Sequence, residues 1–303
     1  MNIDLKKIGT EARNLNTINI DKVSTVEALK MINDEDKTVA HVVEKTLFQI
    51  APLIDCLVEK FKLGGRLIYI GAGTSGRIGV LDSVECPPTF GVSPEMVQCI
   101  MAGGEKAFVK AIEGVEDSLT ISVEDLKRIN LSSKDIVIGI AASGRTPYVI
   151  GGVKYARSIG AITGCITTSP NSIIASIVDY PIEAITGAEP LTGSTRMKSG
   201  TAQKLICNMI TTVSMIKLGK VYENLMIDVQ MNNLKLVKRA ESIICDITGV
   251  SEKEAKYLIK KFKTVKKAIF SNLSGLDNID KVDEYLNKAG GNIRKALELV
   301  END

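Results

Sequence analysis

The chain of 303 residues has a single histidine, His41, and no tryptophan. The usual general base is therefore missing from almost the whole sequence. His41 itself, in "TVAHVVEKT", reads as a residue on a helix face, so proton transfer would fall to carboxylates or lysines. The six cysteines, Cys56, Cys86, Cys99, Cys165, Cys207 and Cys245, include no Cys-x-x-Cys pair. That scatter argues against a structural zinc site and against a disulfide framework, and no cofactor is called for. An excess of one charge is lacking too: 38 Lys and Arg stand against 36 Asp and Glu, which gives no support for a nucleic-acid or membrane-surface partner. The opening "MNIDLKKIGTEARNLN" has no apolar run of the signal-peptide type, and no stretch of about 18 uninterrupted apolar residues occurs. A cytoplasmic location is expected.

What is present is 45% hydrophobic residues, enough to fill one large domain and a small one. From Thr38 onward Val39, Val42, Val43, Leu47, Ile50, Leu53, Ile54, Leu57 and Phe61 recur at helical spacing as far as "KLGG", predicting one long amphipathic helix. "RLIYIGAG" (66–73), "MVQCIMAGG" (96–104), "DIVIGIAASG" (135–144) and "AITGCITTSP" (161–170) are apolar runs that break into small residues, and "YPIEAITG" (180–187) predicts a fifth strand. The helical segments "EKAFVKAIEGV" and "TPYVIGGVKYARSIG" separate them. The expected fold is α/β, a mostly parallel five-stranded sheet with helices on both faces. A further helix is expected from 201 to 218, carrying Leu205, Ile206, Met209, Ile210, Val213 and Ile216. From about Arg239 short charged helices alternate with glycine-containing turns, so the expected division is 1–238 and a small helical domain, 239–303. Within the latter "KKFKTVKK" (260–267) has acidic neighbours on both sides and reads as a solvated helix face. "TGVSEKEAKYLI" and "LSGLDNIDKVDEYL" share a loop-then-helix pattern, the one weak internal repeat.

Each of the first, third and fourth strands ends in a loop of Gly, Ser and Thr: "GAGTSGR" (71–77), "ASGRTP" (142–147) and "TTSPNS" (167–172). In an open parallel sheet the ligand crevice lies at that edge. Glycines let backbone amides approach an anion, hydroxyls donate to its oxygens, and the following helix N-terminus adds partial positive charge. A fourth segment, "TGSTRMKSGT" (192–201), has the same chemistry and adds Arg196 and Lys198. Any one of these loops is an ordinary capped turn, since Ser and Thr are favoured N-caps; four together point to a phosphate. "GAGTSGR" lacks the Walker lysine. A dinucleotide site would want an acidic residue roughly 20 positions on, for which only Glu105 is a candidate.

Two carboxylate regions remain. "LDSVECPPTFG" (81–91) sets Glu85 before Cys-Pro-Pro in an apolar stretch, and an uncompensated buried carboxylate is costly, so Glu85 should be paired, solvated or used. Cys86 reads as a small packed residue. "AGGEKAFVKAIEGVEDS" brings Glu113, Glu116 and Asp117 within one helix length of the ligand edge. Adjacent crossovers can deliver side chains to one crevice, so Glu85 and Glu116 could flank one ligand; solvent-facing helix ends are the alternative.

The segments "TEARN", "GAGTSGRIGVLDSVECPPTFG", "AGGEKAFVKAIEGVEDS" and "GSTRMKSGTAQKLICNMITTVSMIKLGKVYENLM" together resemble the N-acetylmuramic acid 6-phosphate etherases of the sugar isomerase (SIS) domain superfamily, over most of the chain. The resemblance implies an SIS-type fold and cleavage of the lactyl ether to N-acetylglucosamine 6-phosphate and D-lactate without metal or organic cofactor. By motif it puts the catalytic pair on Glu85 and Glu116 and the phosphosugar on Thr74, Ser75, Ser143, Thr146, Ser194 and Thr195. The implied reaction is a syn elimination: the ring-opened sugar loses its C2 proton, lactate leaves C3, and water adds to the unsaturated aldehyde. Glu85, in an apolar setting that raises its pKa and held by Pro87 and Pro88, is expected to protonate lactate; Glu116, in the more polar "VEDS", is expected to be the base.

Many SIS isomerases carry Ser-x-Ser-Gly-Glu-Thr, whereas this chain has "AASGRT", with Ala141 and Arg145 at two of those positions, which rests the phosphate role on Ser143 and Thr146. The carboxy-terminal region resembles a ubiquitin-associated-like bundle. The resemblance also implies a homodimer with its site near the subunit interface, and the helices at 39–61 and 201–218 offer more apolar face than one sheet needs. Two other functions fit parts of the pattern. A sugar-phosphate-binding regulator would need the hydroxyl loops but not two carboxylates, and an aldose-ketose isomerase would use one base and release no lactate.

Overall fold

The computed structural model describes residues 9–231 and 234–303. Two helices, α1 (Thr25–Glu44) and α2 (Leu47–Lys62), precede the sheet. They replace the single helix expected from Thr38. Ser24 opens α1 with a reciprocal capping box to Glu27, and α1 ends where the Thr46 backbone N–H and hydroxyl both bind the Val43 carbonyl, at 2.9 and 2.7 Å. That local side-chain bond competes with the helical ladder and resets it.

Strands β1 (Leu67–Gly71), β2 (Val97–Met101), β3 (Ile136–Ile140), β4 (Ile162–Thr167) and β5 (Tyr180–Glu183) form one sheet in the order β2-β1-β3-β4-β5, with every pairing parallel. All five expected strands are there. β1 and β3 are buried at every position, which is why they read as unbroken apolar runs rather than alternating ones. The crossovers are α3 (Gly73–Phe90), α4 (Gly104–Val109), α5 (Ile121–Arg128) and α6 (Pro147–Ser158). Ile68, Ile70 and Val137 pack with Leu126 of α5 and Tyr148, Val149 and Val153 of α6. On the opposite face Tyr69 meets Gly79 of α3, and Leu53 of α2 lies against Gly164 of β4. Because the strand order reverses between β1 and β3, the crevice falls outside their carboxyl ends.

The other ends of these two strands are clamped. Asp135, just before β3, takes Arg66, just before β1, in a two-pronged pair, Nε to Oδ1 at 3.1 Å and Nη2 to Oδ2 at 2.8 Å. Burial pushes the Asp135 carboxyl up, but the bonds from Arg66 and Ser132 outweigh it and hold it below the usual carboxylate range. A depressed pKa means stability present above the unfolded value near 3.9 and lost as pH falls through the folded one. Asp135→Ala leaves Arg66 without its partner and is expected to cost about 3 kcal/mol, with a flatter acid limb. Urea midpoints between neutral and acid pH check this, and a loss below about 1 kcal/mol would show the clamp to be an ordinary surface pair.

The segment expected to be helical from 105 to 115 is not continuous. α4 ends at Val109, and a 3-10 turn, Val115–Asp117, follows Gly114, whose φ of 86° no L side chain favours. After β5, helix α7 (Lys198–Lys217) is the expected strong helix, starting three residues early.

Two compact units result: the chain up to Val84 with Pro94–Thr211, and Glu85–Ser93 with Thr212–Asp303. The second holds a small hairpin, β6 (Val221–Tyr222) with β7 (Leu225–Met226), and helices α8 (Leu234–Thr248), α9 (Glu252–Phe262), α10 (Val265–Ser274), α11 (Ile279–Lys288) and α12 (Ile293–Asn302). Ile243, Ile244, Leu258, Phe262, Ile269, Phe270, Val282 and Leu286 form its core. Ser251, Thr264, Asn278 and Asn292 cap successive helices. The charged helices expected from Arg239 lie inside this unit, which extends beyond them. Its basic run is matched by acids: Lys261 pairs with Asp277, Lys266 with Asp228 and Lys267 with Asp283.

Candidate active site

α3 starts immediately after β1. A Cβ on Gly76 would lie 2.7 Å from Met101 Cγ and 3.0 Å from the Gly71 carbonyl oxygen, so only glycine lets the first turn sit this close to the strand. That turn presents Thr74 half-buried and Ser75 buried. Ser75 donates its hydroxyl proton to Gln203 Oε1 of α7 at 2.9 Å. The start of α7 also closes on this turn: the Cβ direction of Gly200 points to Thr74 Cγ2 at 3.4 Å and the Thr195 carbonyl oxygen at 3.5 Å. Thr74, Ser75 and the loop bearing Ser194 and Thr195 are thus brought together.

After β3, Gly144 has φ 63°, and a Cβ there would lie 2.3 Å from Ser172 Cβ. Ser143 Oγ accepts the Arg145 N–H at 3.3 Å, which leaves its own proton free to donate. Thr146 stands at the N-cap of α6 but makes no side-chain cap bond. These two hydroxyls are therefore not serving as ordinary caps. Arg145, which stands where the isomerases have glutamate, is half-buried and faces another cavity, of about 460 Å³, with Asn171, Ser172 and Glu183.

In the remaining two loops several of the polar groups are already engaged within the fold. Thr167 and Thr168 both donate to the Ala142 carbonyl at 3.1 Å, and Ser172 Oγ accepts the Ala175 N–H. At the start of α7, Glu189, fully buried, accepts the N–H groups of Lys198 and Ser199 at 2.8 and 2.9 Å and the Ser199 hydroxyl at 2.7 Å. A carboxylate from elsewhere in the chain thereby neutralises this helix terminus. Lys198 is buried with its ammonium on Glu35 at 2.6 Å and the Ala188 carbonyl at 3.0 Å. Its charge is not offered to a ligand, as the sequence suggested. Arg196 stays exposed.

Glu116, on the 3-10 turn, is half-buried and lines a cavity of about 110 Å³ with Gly73, Arg77, Met101, Ala102 and Glu113. Arg77 is held away by donating to the carbonyls of Phe108 at 2.9 Å and Ala107 at 2.7 Å. No described residue hydrogen-bonds or ion-pairs with the Glu116 carboxylate. Glu105, the acid the dinucleotide alternative rested on, lines a different, larger cavity of about 650 Å³ at the β2 edge.

Glu85 belongs to the other unit and is exposed. This corrects the apolar setting expected for it. Pro87 and Pro88 sit inside the last turns of α3 rather than in a loop, where the missing N–H groups weaken the ladder. The buried carboxylate in this stretch is Asp82, one turn earlier and 5% exposed. Burial pushes its carboxyl up, against hydrogen bonds from Asn208, Thr211 and Tyr69, at 2.7, 3.1 and 3.1 Å. Spacing alone missed Asp82, Glu189 and Gln203.

Among the described residues no group of three or more His, Cys, Asp and Glu side chains is placed to hold a metal ion, and no helix is long and apolar enough to cross a membrane.

A parallel sheet of order β2-β1-β3-β4-β5 with hydroxyl-bearing turns at its reversal is a doubly wound arrangement shared by several ligand-binding families, and the sequence places this chain among the SIS-domain proteins. The SIS domain family matches residues 121–213, and the glucokinase regulatory protein N-terminal SIS domain family matches residues 49–157. A Bacteroides fragilis structure assigned as a phosphosugar isomerase involved in capsule formation shares the fold, with TM-score 0.51 at 19% identity over 66% of this chain and 95% of its own. Over 301 residues and 99% of both chains, the sequence is 55% identical to N-acetylmuramic acid 6-phosphate etherase of Clostridium beijerinckii. It is 53% identical to the Clostridium botulinum (strain Langeland) etherase of the same name, again over 99% of each. The chain belongs to the N-acetylmuramic acid 6-phosphate etherase family.

Proposed function

We propose that this protein cleaves the lactyl ether of N-acetylmuramic acid 6-phosphate, as a carbon–oxygen lyase that yields N-acetylglucosamine 6-phosphate and D-lactate. Within the structure the supporting observation is an unpaired carboxylate, Glu116, beside the β1–α3 turn. The phosphate sits on the amides and hydroxyls of the turns after β1 and β3, using Thr74, Ser75, Ser143 and Thr146, while Ser194 and Thr195 contact the sugar. In the ring-opened sugar the C2 proton is next to the C1 aldehyde, acidic enough for a positioned carboxylate to remove. Glu116 is the base. Among the described residues its carboxylate has no ion-pair or hydrogen-bond partner. The C3–O bond then breaks, the ether oxygen leaves with lactate and takes a proton from Glu85, and water adds at C3. Incubation with the phosphosugar and assay of D-lactate tests this.

Glu85 is exposed in the single chain, whereas a proton donor to a leaving group acts best under desolvation. We place that desolvation in a homodimer. Much of the apolar face on the two helices is covered within the chain: Ile50, Leu53, Ile54, Leu57, Val58 and Phe61 of α2 are buried, as are Ile206, Cys207, Ile210 and Met215 of α7. Exposed apolar side chains remain on both helices, Leu47 and Phe48 of α2 and Ile216 of α7, and also on α3 and α4, where Leu81, Val84, Phe108 and Val109 are uncovered. Sedimentation should show a species of twice 32.7 kDa; a monomer at micromolar concentration would remove this source of desolvation. We also place the protein in the cytoplasm and assign the phosphosugar chemistry to residues 1–238, with 239–303 as an accessory helical domain. D-lactate release by a chain ending at 238 would test that division.

A further inference from the structure

Gln203, on the second turn of α7, is 1% exposed. Its Oε1 accepts the Ser75 hydroxyl proton at 2.9 Å, while its Nε2 is buried and has no acceptor among the described residues. A buried amide donor without a partner carries a desolvation penalty of about 1–3 kcal/mol, and it is set against the serine proposed to hold the phosphate. A phosphate dianion only accepts hydrogen bonds, and a serine hydroxyl has one proton. As it stands, that proton is directed to Gln203.

We infer that Gln203 is a positioning residue that switches Ser75 between an empty and a phosphate-bound state by a half-turn of its side-chain amide. With the site empty, Ser75 donates to Oε1 and Nε2 is left over. When phosphate arrives, Ser75 donates to the phosphate, and its oxygen becomes an acceptor. The half-turn exchanges Oε1 and Nε2 with no change of volume, about a torsion that is broad and roughly two-fold, so that Nε2 donates to Ser75. The atom left over is then a carbonyl oxygen, the kind of buried group proteins tolerate better than an unpaired N–H. The penalty built into the empty site is relieved by binding. Gln203 would thus favour the bound state without touching the substrate.

The inference rests on the reading that phosphate binds at Ser75, and the test separates the two. KM, kcat and the inhibition constant of inorganic phosphate are measured for wild type, Ser75→Ala, Gln203→Met, Gln203→Glu and the double variant Ser75→Ala/Gln203→Met. Gln203→Glu has the same shape but, when ionised, can only accept. We expect Gln203→Met and Gln203→Glu each to raise KM and the phosphate inhibition constant together by about tenfold, with kcat within about threefold. The double variant should be no worse than Ser75→Ala alone, since the two act as one unit. An effect of Ser75→Ala without one of Gln203→Met overturns the switch and leaves the phosphate site standing. Additive effects do the same, because Gln203 would then act apart from Ser75. If Gln203→Met does not fold, Gln203→Leu, which also lacks both polar atoms, takes its place: wild-type KM and phosphate inhibition would overturn the switch. If Ser75→Ala changes neither constant, the phosphate reading itself fails and the switch goes with it.

Discussion

Glu116→Gln is expected to lower D-lactate release by about a thousandfold, within the range that a lost general base costs, and to abolish exchange of the C2 hydrogen with deuterated solvent. Glutamine keeps the shape and removes the base. The Glu116 carboxylate has no hydrogen-bond or ion-pair partner among the described residues, so the change should leave stability within about 0.5 kcal/mol of wild type. Glu85→Gln should block lactate release to a similar degree yet still permit slow C2 exchange, because proton abstraction does not require the leaving group to depart. Glu85 is exposed, so it too should fold normally. Exchange lost in Glu85→Gln and retained in Glu116→Gln would reverse the roles. Full activity in both variants would show that neither glutamate takes part.

The second large effect concerns the phosphate. Removing it from the substrate should lower kcat/KM by about a thousandfold or more, since binding energy from a remote group holds C2 and C3 against the carboxylates. Ser143→Ala and Thr146→Ala should each raise KM for the phosphosugar by about tenfold, the scale of a hydrogen bond to a charged group. Thr146→Ala is the cleaner of the two, because the Thr146 side chain makes no helix-cap bond and its loss removes no such support from α6. On the unphosphorylated sugar both substitutions should have almost no effect. Equal turnover of the two sugars would mean that the turns after β1 and β3 do not hold a phosphate.

The strands were legible because strands buried on both faces of a parallel sheet must be apolar along their length, as β1 and β3 are. The turns after β1 and β3 were legible for a related reason: glycines at 71, 73 and 76 mark a strand passing directly into a helix. Composition could not reveal which hydroxyls the fold itself uses. Thr168 and Ser199 look like phosphate ligands in the sequence, and instead Thr168 donates to the Ala142 carbonyl and Ser199 to Glu189. Lys198 looks like an anion-binding cation, yet its partner Glu35 lies 163 positions away. Cases like these depend on pairings between distant segments, which no local pattern encodes. Asp82 and Glu85 show the limit most sharply. They lie three residues apart on α3, on nearly the same side of the helix, yet Asp82 is buried and Glu85 exposed, a difference no spacing rule predicts, and the question raised by an acid among apolar residues is answered by Asp82. The break at Thr46 and the short α4 were missed because each depends on one local feature, a hydroxyl bond at Thr46 and an extended Lys110, that the apolar periodicity runs straight through.

The account's central claim is that the two glutamates and the phosphate turns serve the elimination of lactate. The most direct measurement is incubation of the protein with N-acetylmuramic acid 6-phosphate, with D-lactate and the sugar product followed together. The account predicts one D-lactate and one N-acetylglucosamine 6-phosphate for each substrate consumed. A phosphosugar that is bound but recovered unchanged, or one that is isomerised with no lactate released, would contradict it.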